Sequence, residues 1–553
     1  MTSTIVGLHS LQSISLKPEE EKEFFERQDT IPPPHPKCWL FSIRVLIGLL
    51  LCWAVMLGSL LRFQMSVAMV CMVNSTAVAS VESEHKSPRP NQTANCDALL
   101  APGLLEGYEG SFVWTSHQQG LIFSALWWGS LISIIPGGIL TDKFGGRIPL
   151  LIGMTFCAVG SSFSPWAARL HFVALIVLRF TMGLCQGVLV PAISSLAGRW
   201  VPPDERSRII ALYTVGNQLG SVIGNPLFAI MCSSSFLDGW PIIFYSTCLL
   251  GLVWCLVWYV VVSNTPGKNR FISYQEMVYI QYTLRDQYLR NRKEHRVPWK
   301  GLLTSLPVWA CTAANFAAGL CAFTLAIYIP TYFKDVLLFS LKNNGLLSAL
   351  PFLSQIVGKV VVTWIESLLK QKTRVSNSVL SKGFNTAGCL LAASFLMVCS
   401  FLNCDQRNLA VAFFSLTMGA TSCFVPGFLA SSVSIAPQHS GTIRSVNAMF
   451  GQLAGACAPY MVGWITEHGT REEWQKVFMI VSVILLLSGV VYLVFGTTDI
   501  QPWAKESVKK ETSKDDVLTV DLIENGDVSE GDTADRDNEQ TKTSSLNNKT
   551  TSA

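Results

Sequence analysis

The sequence predicts an all-α membrane protein with twelve transmembrane helices in two pseudo-symmetric six-helix bundles. Three observations carry this: scarce charge, a count of long apolar runs, and a basic stretch that divides the runs in half. Of 553 residues, 50% are hydrophobic and 14% are Asp, Glu, Lys or Arg, against roughly 25% charged in ordinary soluble domains. The charges are also segregated: 10 lie in residues 1–39, 11 in 264–306 and 19 in 505–553, leaving 38 for the other 422. A bilayer explains such depletion, because a spanning helix needs roughly 20 apolar residues and a central charge costs a few kcal/mol.

The elements follow in chain order. Residues 1–39 hold an acidic cluster from Glu19 to Glu26, then Pro32, Pro33, Pro34 and Pro36, and no apolar run suited to a signal peptidase. They are expected to form a cytoplasmic tail. Residues 40–263 form the first bundle, with runs near 42–73, 119–140, 148–168, 171–197, 208–232 and 240–263. Residues 264–306 are a basic linker carrying Arg285, Arg290, Arg292, Lys293, Arg296 and Lys300. The second bundle, 307–497, has runs near 307–330, 344–366, 384–403, 408–430, 442–465 and 475–496. Residues 498–553 are expected to be a disordered cytoplasmic tail, since 505–553 carry a net charge of −5 and no aromatic residue.

Topology is read from Lys and Arg in the short loops, 18 on the side of the central linker and 8 on the other. That bias puts the linker and both tails in the cytosol. Sequons at Asn74 and Asn91 fall in the loop 74–118 on the opposite side, where they can be glycosylated. Asn91 is favoured because Asn74 lies close to the membrane, and the tail sequon at Asn548 should be silent. The formal charge of +4 gives no basic face, which argues against nucleic acid as a partner. The expected surroundings are the lipid bilayer, of a plasma membrane or of an endolysosomal or vesicle membrane. Most of the sixteen cysteines, including Cys52, Cys71, Cys185, Cys248 and Cys321, lie in apolar runs and read as small buried hydrophobes.

Between the second and third runs stands "GGILTDKFGGR", with Gly138, Asp142, Lys143 and Arg147. It resembles the signature loop of the major facilitator superfamily, and that resemblance implies the two-bundle fold and alternating access. Gly138 is expected to let two helices approach closely, and Asp142 to pair with a basic residue or cap a helix in one of the access states. The loop after the eighth run, "WIESLLKQKTR", is only a degenerate echo of it.

Further fragments narrow the resemblance over roughly 40–504: "LRFQMSVAMVCMVN", "RFTMGLCQGVLVPA", "RWVPPDERSRI" with Glu205, Arg206 and Arg208, "GWPIIFYSTCLLGLVW", "NNGLLSALPFL", "REEWQKVF" and "QPWA". Together they resemble the anion:cation symporter family, which contains sialin, the vesicular glutamate and nucleotide transporters and the type I sodium-phosphate cotransporters. With the signature loop, Glu205, Arg206 and Arg208 are read as conformational gating residues.

Charges deep in apolar runs mark candidate transport residues, because each needs a partner or a water-filled cavity. Three stand out: Arg62, Arg179 and Lys359. The guanidinium of Arg62 is a planar fork suited to carboxylate or phosphate oxygens; the competing reading is neutralisation by helix carbonyls or snorkelling. Arg179 precedes the small Gly183 and Gly187, and a purely structural role competes with anion binding. Lys359 either faces a cavity or snorkels toward an interface. The resemblance implies a substrate-related Arg at position 62 and an important basic residue at 179. Where sialin and the glutamate transporters carry a carboxylate seven residues after that Arg, this chain has Gln186, which takes up no proton at physiological pH. Phe123 replaces the glutamate transporters' His, and Ala318 their seventh-span Arg. Asn315 and Tyr328 are candidate lining residues that offer neutral hydrogen bonds, with core roles equally open.

These features predict a secondary active transporter of organic anions or inorganic phosphate, coupled to a sodium or proton gradient and needing no bound cofactor. A vesicular or lysosomal transporter of acidic amino acids or sialic acid is the alternative. A non-transporting receptor or scaffold that binds cytosolic proteins through its tail is a further class. No Walker loop, intramembrane Ser, His and Asp set or HExxH supports ATP coupling or an enzyme.

Overall fold

The computed structural model describes residues 42–74, 110–234, 239–291, 298–372, 375–402, 404–436 and 439–504. Expectations for the two tails, for Asn91 and for the side chains of Asp142 and Arg206 fall outside the described residues. Twelve long helical segments run through the described residues. They are α1 Ile43–Met72, α2 Ser116–Phe144, α3 Arg147–Leu170, α4 Phe172–Trp200, α5 Pro203–Cys232 and α6 Pro241–Val261. After the linker come α7 Leu306–Asp335, α8 Leu341–Lys372, α9 Asn377–Phe401, α10 Cys404–Ser434, α11 Ser440–Ile465 and α12 Arg471–Phe495. The face where α1 begins and α12 ends is called proximal, and the opposite face distal.

Ten of these helices are long and apolar enough to cross a membrane. The exceptions are α5 and α11, which the sequence reading had placed among the apolar runs. Their polarity has a structural reason: Gln218, Ser221 and Asn225 on α5 and Asn447 on α11 are buried against protein, so they are not exposed to lipid.

Within the first half, Gln64 of α1 is fully buried and holds α3 and α6 through hydroxyls. Its amide donates to Ser161 Oγ at 3.0 Å, and its oxygen accepts from Thr247 Oγ1 at 2.5 Å. Gly129 of α2 and Gly183 of α4 face each other so closely that a Cβ on either would strike the other helix's backbone. Gly187 likewise abuts Ser130 and Ser133 of α2.

The prolines divide into two groups. Pro136, Pro165, Pro226, Pro330 and Pro459 lie inside continuous helix. Pro191, Pro351 and Pro426 sit beside lapses in helical hydrogen bonding: in α4 after Gln186 and in α8 after Leu347 the backbone at Gly187, Val188 and Ser348 stays right-handed helical, whereas in α10, between Thr421 and Leu429, Gly427 leaves helical geometry.

Cysteine usage differs from the expectation of buried thiols at three of the described cysteines, Cys71, Cys232 and Cys404, which are disulfide-bonded. Cys71 is disulfide-bonded to Cys232, joining the distal ends of α1 and α5, whereas Cys52, Cys185, Cys248 and Cys321 are free thiols. Both bonded residues lie within the last two residues of helices that run in the same direction, so the chain path brings them to one rim.

The halves meet in the middle and distal parts of the molecule. Lys334 Nζ donates to Val70 O at 3.2 Å, Ser66 Oγ to Ile327 O, and Asn225 Nδ2 to Ser348 O at 3.4 Å. At mid-depth Ser130 Oγ donates to Gln452 Oε1 at 3.1 Å, and Gln218 Nε2 to Gln355 Oε1 at 3.3 Å. Along the α2–α11 contact, Gly120, Gly455 and Gly463 leave no room for a Cβ, while Gly138 and Gly441 near the proximal ends would meet nothing within 4 Å. The close helix approach expected at Gly138 is not found in this conformation: the position borders open space, and Gly137, one residue earlier, packs on Val188 instead.

A side chain at Gly455 would enter the Trp127 ring system. Gly455→Leu should therefore lower stability by about 1–3 kcal/mol through overpacking, read as a fall in melting temperature of the purified protein, whereas Gly138→Leu should leave it unchanged.

Candidate functional site

The candidate site lies where α4 meets α1 in the first half and both face the seam. Arg62 stands on the tenth residue before the end of α1, about 15 Å along the helix from its distal end at 1.5 Å per residue. Its Nε donates to Gln186 Oε1 at 2.8 Å, and the guanidinium lies over the Trp127 ring, 5.5 Å from its centroid. Among the described residues Arg62 has no carboxylate partner. Trp127 in turn touches Phe323 of the second half, with ring centroids 4.2 Å apart. The Arg is thus held on one side by an amide and an aromatic face, and its terminal nitrogens remain available toward the seam.

Arg179 is placed differently. It is 1% exposed, and its Nη1 and Nη2 donate to the carbonyls of Leu61 and Arg62 at 3.3 and 3.2 Å. Those bonds tie α4 to the α1 turn that carries Arg62, which makes Arg179 a positioning residue in this state. Its Nε, and the Nε2 of the buried Gln186, are donors with no hydrogen-bond partner. A buried donor without a partner costs about 1–3 kcal/mol, so these two donors stand apart from the satisfied Gln64, Ser161 and Thr247 group of the same half.

The other candidate residues are more dispersed. Phe123 is buried and meets Tyr328 edge to face at 5.5 Å, and the Tyr328 hydroxyl donates to Pro459 O at 3.2 Å. Asn315 Nδ2 donates to Asn447 O at 2.5 Å. Both polar groups expected to offer free hydrogen bonds are therefore engaged inside the second half. Lys359 is half-buried on α8, one turn from Gln355, with no carboxylate partner among the described residues. It is not drawn into the Arg62 cluster by any hydrogen bond or ion pair described.

Comparison with known proteins follows this geometry. The family model described as "Major Facilitator Superfamily" matches residues 93–401 and 381–529. The chain belongs to the major facilitator superfamily. Human sialin is 33% identical over 453 residues, spanning 80% of this chain and 87% of its own length. A Drosophila melanogaster protein named as a putative inorganic phosphate cotransporter is 32% identical over 467 residues, 84% of this chain and 86% of its own. These relatives lie in the anion:cation symporter family, as the sequence resemblance implied. The inward-open xylose transporter of E. coli shares the fold, with a TM-score of 0.55 at 14% identity over 82% of this chain and 96% of that one. The protein is thus an integral membrane transporter with a small-molecule substrate, and the enzyme class is set aside.

The superfamily signature loop is anchored by residues that sequence reading missed. Gly145 takes φ +79 against Asn264, just after α6. Asn264 Oδ1 accepts from Arg147 N at 3.0 Å, and its Nδ2 donates to Phe144 O at 3.2 Å. Arg147 Nη2 donates to Tyr259 O at 2.8 Å, and its guanidinium lies over the Tyr259 ring. Lys143 is exposed beside Phe144.

Glu205 belongs to a second proximal cluster. It pairs with Arg44 at 3.1 Å, and Arg44 also pairs with Glu276 at 3.6 Å. Glu276 lies on a linker helix, Tyr274–Asn291, and its carboxylate accepts from the backbone N–H groups of Ile43 and Arg44 at 3.2 and 3.1 Å, capping α1. Arg208 is exposed. The linker was read only as a basic spacer; a helix-forming stretch with one acid in its first turn was the available signal.

Replacing Arg179 with Ala removes two bonds to buried carbonyls and should cost about 1.5–3 kcal/mol. Replacing Arg62 should cost less, since its head group faces the seam. Comparison of the two melting temperatures, with Arg179→Ala the lower, checks this order.

Proposed function

We propose that this protein moves small anions, organic anions or inorganic phosphate, across a membrane by alternating access, with Arg62 as the charge partner of the substrate. The observation that carries the reading is an unpaired guanidinium at mid-membrane depth, oriented by Gln186 and Trp127 and flanked by unpartnered donors on Arg179 and Gln186. An anion entering between the halves would satisfy these donors at once, with the bidentate geometry a guanidinium gives to carboxylate or phosphate. Relatives named for sialin and for inorganic phosphate cotransport support an acidic substrate.

Gln186 bears on the energy source. It occupies the position beside Arg62 where a titrating carboxylate would stand, and an amide carries no proton at physiological pH. This favours coupling to sodium, or to a proton carried elsewhere; transport of sialic acid or acidic amino acids remains the alternative, supported by the likeness to sialin and the vesicular glutamate transporters. Lys359 would provide the positive charge of the second half when the halves rearrange around a bound anion.

In this reading the proximal face is cytosolic and the protein is open toward the cytosol. Both tails and the linker then lie inside, the tail 498–553 is available to cytosolic partners, and Asn91 is exposed to glycosylation on the other side. The Arg44, Glu205 and Glu276 cluster and the signature loop, with Gly138, Asp142, Lys143, Arg147, Arg206 and Arg208, would be the contacts that change as the cytosolic side closes.

Uptake of labelled phosphate, urate, glutamate and sialic acid into proteoliposomes tests the substrate. Arg62→Ala should abolish uptake at unchanged expression, and Arg62→Lys should rescue it poorly because the fork is lost; wild-type uptake by Arg62→Ala would overturn the assignment. For orientation, Asn91→Gln should remove the glycosidase-sensitive mass shift of the cellular protein, whereas Asn548→Gln should leave it intact.

A further inference from the structure

The second half contains a buried polar cluster that the anion site does not use. It lies at the break in α10, where Gly427 departs from helical geometry at φ −75 and ψ −124. Asn385 of α9 packs directly against this glycine, and a Cβ there would come within 3.2 Å of Asn385 Oδ1. Asn385 is 0% exposed, and its Oδ1 has no hydrogen-bond partner. One turn away, Ser381 Oγ bonds Gly427 O at 2.9 Å and shares a 2.8 Å contact with Tyr492 Oη. The amide nitrogen of Asn385 reaches only Cys389 Sγ, at 4.0 Å.

An orphaned acceptor in a buried site calls for an occupant. Beside it at the break stand further oxygens: the Gly427 carbonyl and the hydroxyls of Ser381 and Tyr492, joined to one another through Ser381. The nearest basic side chain in sequence, Lys382, reaches outward to Val494 O. A set of neutral oxygens beside an interrupted helix is suited to a monovalent alkali cation, because unwound backbone and neutral ligands can replace its hydration shell. A divalent ion would need carboxylates to offset its dehydration, and none is among these residues.

We infer that Asn385 Oδ1, Gly427 O, Ser381 Oγ and Tyr492 Oη form a sodium site at the α10 break. The break also reaches the seam. Gln355 Nε2 donates to Thr421 Oγ1 at 2.9 Å, at the first residue of the irregular segment, and Gln355 Oε1 accepts from Gln218 of the first half. A cation that fixes the break would thereby bias the contact between halves. Use of the ion to drive transport rests on the proposed function, but its binding does not.

The test uses the purified full-length protein without substrate. Melting temperature and ²²Na⁺ binding are measured in sodium, potassium and choline chloride at constant ionic strength. Sodium should give a saturable stabilisation that choline does not. Asn385→Leu should weaken sodium binding about tenfold or more, the scale seen for a lost metal-site contact, and Asn385→Asp should retain or tighten it by adding a charge. If Asn385→Leu does not fold, Asn385→Asp and Tyr492→Phe carry the comparison, Tyr492→Phe weakening binding. Equal stabilisation by sodium and choline, no saturable ²²Na⁺ binding, or unchanged affinity in these variants overturns the site. Sodium binding lost on Asn385 substitution in a protein that takes up no anion supports the site and overturns the transport reading alone.

Discussion

A cation carried into the hydrocarbon must be met by a partner or by water, and the placement of α1 and α4 follows from how two arginines meet this demand. Arg179 spends its donors on the carbonyls of Leu61 and Arg62. That choice fixes the backbone from which Arg62 projects, and Gln186 and Trp127 then fix its side chain. In the proposed reading one arginine is the mount and the other the working group. Neither is neutralised by a described carboxylate, so the first half keeps a positive potential that only an incoming anion or water relieves.

The same demand explains the packing around the site. Helices that must approach closely do so through glycine, as at Gly129 with Gly183, and Gly120 with Gly463. Buried polar groups such as Gln64, Ser161 and Thr247 satisfy one another within the first half. Toward the proximal ends these glycine contacts cease, and Gly138 and Gly441 border open space. A wedge closed at one face and open at the other is the geometry expected of one state of a rocking transporter.

Much of this was legible in the sequence, for identifiable reasons. Charge depletion and run length report the solvent directly, so the helices and their sixfold division could be read from residue types. Arg62 stood out because a lone cation in an apolar run is costly wherever it points. What stayed hidden depends on partners distant in sequence. The structural use of Arg179, the Trp127 face under Arg62 and the Glu276 cap on α1 are pairings across more than fifty residues, which periodicity does not encode. Polar residues on α5 and α11 diluted an apolar signal because those helices are buried in protein. Cys71 looked like packing because a half-cystine at a helix end has the same apolar neighbours as a buried thiol.

The bond between Cys71 and Cys232 bears on how the distal face can open. With α1 and α5 stapled at their rims, a passage to the distal face cannot form by parting these two helices. It must form between α1 with α5 on one side and α7 with α8 on the other, where Lys334, Ser66 and Asn225 now bridge. The staple thus turns two lever arms into one plate.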